Sequence, residues 1–300
     1  MIVHLIDGTY ELFRHFYGLR RFNKGKDKPF GAVVGVLNGV LQMIEEGATY
    51  LGVATDHVIE SFRNDLWDEY KTGEGIDPAL HAQFQPLEDA LVGMGVTLWP
   101  MVELEADDAL ASAAALAAQD RRVLKVCIWT PDKDLAQCVR DDRVVQVDRK
   151  SNVIRDAAGV RAKFGVGPER IADYLALVGD SSDGYPGIGG IGPKGAAGLI
   201  ERFGRIEDFP PEILGEQKPL ALLFKKLATL RDDAPLFTDV EALKWQGVSN
   251  NFAETAAKLS DPKLFERAQK ALQSPKRAES SGAIALKKKP TKAAREPKKP

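Results

Sequence analysis

Short apolar runs rich in β-branched and aromatic residues alternate along the chain with segments whose apolar positions recur at helical spacing. The runs MIVHLI, YLGVAT, VTLWPM, VLKVCIWT and VVQVD are predicted strands. Helical patterns separate them, among them the Ala-rich ADDALASAAALAAQ. Alternation of this kind builds a mainly parallel sheet flanked by helices, an α/β fold, here expected over residues 1–150. Residues 62–98 interrupt the rhythm with a polar, glycine-containing crossover longer than a tight connection needs, as lids and substrate guides often are. Past Asp148 the strand patterns stop, so residues 151–265 are expected to form a helical second lobe. Residues 275–300, rich in Lys, Ala, Ser and Pro, are expected to be a disordered basic tail.

Ligands of open α/β sheets bind beyond the carboxyl ends of the strands. Asp7 follows MIVHLI, Asp56 follows YLGVAT and Asp132 lies just past VLKVCIWT, so three strands deliver an acid to one edge. Six more acids stand at similar places: Glu105, Asp107 and Asp108 at the start of the Ala-rich helix, Asp134 beside Asp132, and Asp180 and Asp183 in GDSSDG. Each group has a purely structural reading, as a helix cap, a favourable first-turn charge or an Asx turn. Their conjunction points to hard divalent cations, which prefer oxygen ligands and relieve the mutual repulsion of the acids. Two such ions about 4 Å apart can activate a water and stabilise the leaving oxygen of a phosphodiester.

Charge and cysteine usage narrow the class further. From Pro275 onward nine Lys/Arg face two acids, a net of +7, so a whole-chain charge of −2 leaves −9 on residues 1–274. A basic tail on an acidic body suits a polyanionic partner, or is simply a solvated terminus. Cys127 and Cys138 have neither disulfide-framework nor zinc spacing and are expected to be reduced, packed thiols. No apolar stretch approaches the roughly 20 residues that span a bilayer, and the N-terminus lacks a signal-like pattern. No membrane association and a cytoplasmic location are expected.

The segment PGIGGIGPKG satisfies GxGxxG, but a dinucleotide fingerprint follows a strand, and the preceding IADYLALVGD reads as a helix. A Walker loop fails too, because Pro193 separates Gly192 from Lys194 and no Ser/Thr follows the lysine. A helix, a glycine turn and a second helix instead predict a helix-hairpin-helix, with Gly187, Gly189, Gly190 and Gly192 admitting a phosphate to the backbone and Lys194 adding charge.

Five segments in order, LIDGTYELFRHFY, ESFRNDLWDEYK, ELEADDAL, TPDKDLAQCV and ALVGDSSDGYPGIGGIGPKGAAGLI, span about residues 1 to 205. Through them the chain resembles the 5′-nucleases that include flap endonucleases and the 5′→3′ exonuclease domain of bacterial DNA polymerase I. The resemblance implies a PIN-like fold with a helical arch or gateway over residues 62–98, through which a 5′ single strand passes. It implies one metal position served by Asp7, Asp56, Glu105 and Asp107 and another by Asp107, Asp132, Asp134 and Asp183, with Asp108 and Asp180 acting directly or through water. The ions implied are two Mg²⁺, replaceable by Mn²⁺, with K⁺ at the hairpin. Lys71 and Arg14 would stand near the scissile phosphate. Phe13 matches an aromatic position on which a terminal base stacks, although a core phenylalanine fits it equally. Phe62 and Arg63 match a pair used in packing and phosphate contact. The chain departs from the pattern at Glu74, where a basic residue is common, and at Gly195, where Ser or Thr is more usual.

These features predict a stand-alone, structure-specific 5′-nuclease of DNA replication or repair. Its expected partners are DNA with 5′ flaps, nicks or recessed 5′ ends, RNA-primed strands included. A fused polymerase would need hundreds more residues. The alternatives are a PIN-like ribonuclease, which leaves the hairpin and Asp180/Asp183 without a purpose, and a non-catalytic DNA-binding protein on the same fold.

Overall fold

In the computed structural model, which describes residues 1–23 and 28–273, the five apolar runs become strands β1 (Ile2–Asp7), β2 (Tyr50–Asp56), β3 (Thr97–Met101), β4 (Lys125–Trp129) and β5 (Val144–Asp148). A sixth strand, β6 (Val153–Arg155), follows. The order across the sheet is β3-β2-β1-β4-β5-β6, parallel throughout except for antiparallel β6. Strands buried on both faces read as continuous apolar runs, which is why β1, β2, β4 and β5 were visible in the sequence; β3 is a partly exposed edge strand, marked by its own apolar residues. The chain steps outward from β1 to β2 and β3, then crosses through α5 (Ala106–Gln119) to β4 on the other side of β1, so the strand order reverses between β1 and β4 and a crevice opens beyond their carboxyl ends.

The helices are α1 (Gly8–Asn23), α2 (Gly31–Glu45), α3 (Pro78–His81), α4 (Phe84–Gly93), α5 (Ala106–Gln119), α6 (Ala157–Phe164), α7 (Ile171–Val178), α8 (Pro193–Phe203), α9 (Pro211–Leu214), α10 (Lys218–Ala228), α11 (Phe252–Lys258) and α12 (Lys263–Gln273). Successive strand residues point to opposite faces. Ile6, Leu51 and Val145 join the core made with α2, α4, α11 and α12, whereas Val3, Leu5 and Val126 meet α5 on the other side. The buried alanines of α5, including Ala109, Ala113 and Ala117, let that helix lie close on the sheet. A third core, with Ile171, Leu175, Ile200 and Phe224, holds the second lobe together.

Three expectations on organisation are corrected. Strands do not end at Asp148: a turn at Lys150–Asn152, with Asn152 in the left-handed region, returns β6 against β5. Three half-exposed residues carry too little apolar signal to mark a strand. Residues 62–98, expected to be a helical arch or gateway, are helical only over α3 and α4. Residues 57–77 form turns and irregular backbone, and Leu80, Leu87, Ala90 and Leu91 of α3 and α4 are fully buried core. Residues 151–265 are not one lobe either. Trp245, Phe252, Ala256 and Leu264 lie in the core beside α2 and α4, and Trp245 Nε1 donates to the Met94 carbonyl at 2.9 Å. The tail at 275–300 lies outside the described residues. No helix among the described residues is long and apolar enough to cross a membrane. Both cysteines are free, and burial pushes the Cys127 thiol up to about 12.

Candidate metal centre

Gly8 fixes the first acid, because a Cβ there would lie 2.8 Å from Val53 Cγ1 and 2.9 Å from the Ala54 carbonyl. Its absence lets α1 start hard against β2, with Asp7 Oδ1 accepting from Tyr10 N (2.8 Å) and Oδ2 from Thr130 Oγ1 (3.0 Å). Asp56 closes β2 and accepts from the Ala106 N–H at 2.8 Å, which joins it to the start of α5. Burial pushes the Asp7 carboxyl up to about 7, helped by the charges of Asp56 and Asp132 and opposed by its two hydrogen bonds. Burial also raises Asp56, against the pull of Lys71.

Further along the crevice, carboxylate oxygens of Asp107, Asp132 and Asp134 lie within 4.8 Å of one another, as do those of Asp134, Asp180 and Asp183. Asp134 belongs to both groups. Burial, then neighbouring aspartates, lifts Asp107 and Asp134 well above the usual carboxylate range, and Asp183 is raised as well. Among the described residues, the buried Oδ1 of Asp134 has no hydrogen-bond partner. A buried carboxylate oxygen without a donor is costly. Oxygen-only donors, packed acids and an orphaned oxygen together fit divalent cations of the hard type.

Lys71 reaches into this set, its Nζ 2.6 Å from Glu105 Oε2 and 3.1 Å from Asp183 Oδ1. Burial alone would lower the lysine pKa, but Glu105 and Asp183 hold it well above the ordinary value. Burial would likewise raise Glu105, yet Lys71 and Arg63 outweigh it and the net shift is downward. Two chain segments are laced together to bring this about. Lys71 N donates to the Asp183 carbonyl (3.1 Å) and Trp67 Nε1 to that of Gly184 (3.1 Å). Gly184 has φ +83°, and a Cβ there would sit 1.9 Å from the Glu69 carbonyl oxygen. Only glycine allows the two loops to meet so closely.

Two of the sequence assignments are corrected. Asp108 does not face the other acids. It is completely buried and takes a bidentate ion pair from Arg63 (2.7 and 2.8 Å), while also accepting from the Glu105 and Arg231 N–H groups. Neighbours on a helix point about 100° apart, so Asp107 and Asp108 serve different surroundings. Arg63 is 1% exposed and therefore cannot touch DNA; it also bonds Glu105 and the Leu227 and Thr229 carbonyls.

The remaining positions fall as follows. Asp180 joins Asp134 and Asp183 but is also paired with Lys133 at 2.7 Å. Arg14 is engaged by Glu11 of its own helix turn. Phe13 is half-buried, edge-on to Phe84 and beside Tyr17. The hairpin is not one tight turn. Residues 179–192 separate α7 from α8, and an Asp180–Tyr185 backbone pair closes part of the loop. Gly187 is buried against Gly179 and serves packing, whereas Gly189, Gly190 and Gly192 are exposed, with open space where a Cβ would stand, and Lys194 is exposed in the first turn of α8. Sequence reasoning missed Lys133 and Tyr70, whose hydroxyl donates to Glu105 at 3.4 Å. It also missed Glu88, which ties Thr55 (2.8 Å) and His57 (2.8 Å) to α4. The Asp-Lys-Asp order at 132–134 was the only signal for the first.

Comparison with known proteins agrees with this geometry. Residues 2–165 match the family described as 5′-3′ exonuclease, N-terminal resolvase-like domain, and residues 166–251 match its C-terminal SAM fold. The chain is 35% identical over 260 residues to DNA polymerase I of Pseudomonas aeruginosa, covering 80% of this chain but only 28% of that protein. It is 32% identical over 251 residues to a 5′-3′ exonuclease of Aquifex aeolicus, covering 81% and 86%. A solved complex of the bacteriophage T5 flap endonuclease with DNA and metal ions shares the fold, with TM-score 0.63, 19% identity, and coverage of 91% of this chain and 98% of that one.

Proposed function

The chain belongs to the 5′-3′ exonuclease family, and on that premise we propose that it hydrolyses phosphodiesters of DNA at 5′ flaps, nicks and recessed 5′ ends, RNA-primed strands included. The observation that carries the proposal is the pair of carboxylate groups sharing Asp134, whose buried Oδ1 accepts no hydrogen bond among the described residues. In place of the two ligand sets that the resemblance implies, the proposed grouping is Asp107, Asp132 and Asp134 around one divalent ion and Asp134, Asp180 and Asp183 around a second, with Asp7 and Asp56 alongside and Glu105 paired with Arg63 and Lys71; Mg²⁺ is the proposed ion and Mn²⁺ its substitute. Bound there, such ions supply an activated water and charge against the leaving oxygen.

The protein's own groups do the rest. Lys71 stays charged at neutral pH and keeps 30% of its side chain exposed, so it can donate to a phosphate oxygen while still paired with Glu105. The open backbone at Gly189, Gly190 and Gly192, followed by the first turn of α8 and Lys194, suits a non-bridging phosphate oxygen of the duplex. Glu74 is exposed on the loop after Lys71 and weakens the pull on a threaded strand there.

The test is incubation with Mg²⁺ or Mn²⁺ and a 5′-labelled flap duplex, a blunt duplex or single-stranded RNA. Release of the flap near its junction, abolished in Asp107→Asn, supports the reading. Binding of the flap duplex without cleavage in either ion refutes it, and preferential cutting of the RNA favours a ribonuclease.

A further inference from the structure

One cation beside the carboxylates is held firmly in place with most of its donors unused. Arg155 ends β6 directly opposite Gln146 of β5. Gln146 is completely buried; its Nε2 donates to the Asp132 carbonyl and its Oε1 accepts from Arg155 Nη1. Both ends of the amide are engaged, so this one side chain ties the guanidinium to the loop that carries Asp132 and Asp134. Arg155 is half-buried and makes no ion pair among the described residues, and its bond to Gln146 is its one side-chain hydrogen bond there. A partly desolvated cation normally has a carboxylate at contact distance. Burial holds its pKa below the ordinary value, with Asp148 the acid that opposes the shift.

Lys163 is exposed on α6, the helix that packs against β6 and so lies on the same side as Arg155. Its Nζ rests 4.6 Å from the centre of the Phe164 ring, and it too makes no ion pair among the described residues. Burial first, then the charge of Arg155, lowers its pKa, while Asp132 and Asp148 oppose. Lys133 is close by but is committed to Asp180. Two cations therefore stand near each other and near Asp132 without a carboxylate in contact with either.

We infer that Arg155 and Lys163 form a second phosphate contact on the β5–β6 side of the carboxylates, which takes a backbone phosphate of bound DNA, with Gln146 as the residue that positions Arg155. The inference rests on the nuclease reading above. A guanidinium whose second nitrogen and Nε are free can meet two oxygens of one phosphate, while the lysine adds a point charge.

The test measures binding of a labelled flap duplex to the full chain, in an Asp107→Asn background with Mg²⁺ so that the DNA stays intact, across a series of salt concentrations. Arg155→Ala is expected to weaken binding about three- to tenfold and to make the slope of log affinity against log salt shallower by about 1; adding Lys163→Ala makes it shallower by about 2 in total. Arg155→Lys keeps the slope. Gln146→Ala weakens binding when Arg155 is present and adds nothing in the Arg155→Ala background, a dependence that a merely structural glutamine would not show. Affinity and slope unchanged in the doubly substituted protein, with its melting temperature preserved, overturn the inference. If the unsubstituted chain cuts flap DNA while that result holds, only this inference falls; if the unsubstituted chain binds the flap but does not cut it, the nuclease reading falls first.

Discussion

Replacing Arg63 by alanine tests whether this arginine holds the protein together or touches its substrate. Its guanidinium makes two bonds to Asp108, one to Glu105 and two to the backbone carbonyls of Leu227 and Thr229, from a position 1% exposed. Removal strands the fully buried Asp108 carboxylate with only the N–H groups of Glu105 and Arg231. Breaking a buried pair from one side costs about 3–5 kcal/mol. Glu105 retains Lys71 and Ser61, so the damage centres on Asp108. For a chain of this size about 4 kcal/mol lowers the melting temperature by roughly 8–16 °C. Thermal melts followed by circular dichroism measure it, with Arg63→Met/Asp108→Asn as the control: removing both charges should recover a substantial part of the loss. A melting temperature within about 2 °C of the unsubstituted protein, a shift worth no more than about 1 kcal/mol, combined with a loss of DNA affinity, would refute the reasoning and return Arg63 to the DNA contacts.

Two further outcomes follow from buried charge. Asp134→Asn should raise the melting temperature in metal-free buffer, since it neutralises an acid with an unpartnered oxygen, yet it should abolish most of the stabilisation that Mg²⁺ or Mn²⁺ gives the unsubstituted chain; a lower metal-free melting temperature counts against it. His4 is buried, accepts the Trp129 Nε1 hydrogen at 3.1 Å, and has its pKa pushed down from 6.5 to about 4 by desolvation. The folded value is depressed, so the stability this neutral imidazole contributes is complete above pH 6.5 and is lost as pH falls through 4, a span worth roughly 3 kcal/mol. Asp7, raised to about 7, acts in the opposite sense over part of that range, so the comparison is between proteins: urea midpoints of His4→Gln should fall less steeply below pH 6.5, and parallel curves would exclude the assignment.

The legibility of the fold tracked burial. Strands with both faces covered announced themselves as apolar runs, and the acids at their ends marked the crevice. β6 was hidden because an edge strand of three residues needs little apolar surface. α4 was masked by polar neighbours, although Phe84, Leu87 and Leu91 do recur at helical spacing. Among the nine acids, residue type could not separate Asp107 from Asp108, because what divides them is the direction in which each leaves α5 and the presence of Arg63 from a distant loop. Gln146 was illegible for a similar reason: a glutamine within a β-rich run gives no sign that its two ends will join an edge strand to a carboxylate loop.

The return of the chain after α10 to the first core has a consequence for how such a protein can be assembled or exchanged by recombination. Families of this kind are described in two pieces, with a seam here between residues 165 and 166. Trp245, Phe252, Leu264 and Ala268 fill space beside α2 and α4, far upstream of that seam. A crossover at the seam would graft a foreign plug onto a native socket, so the heritable unit is the whole clasped chain, and the two pieces are expected to have changed together.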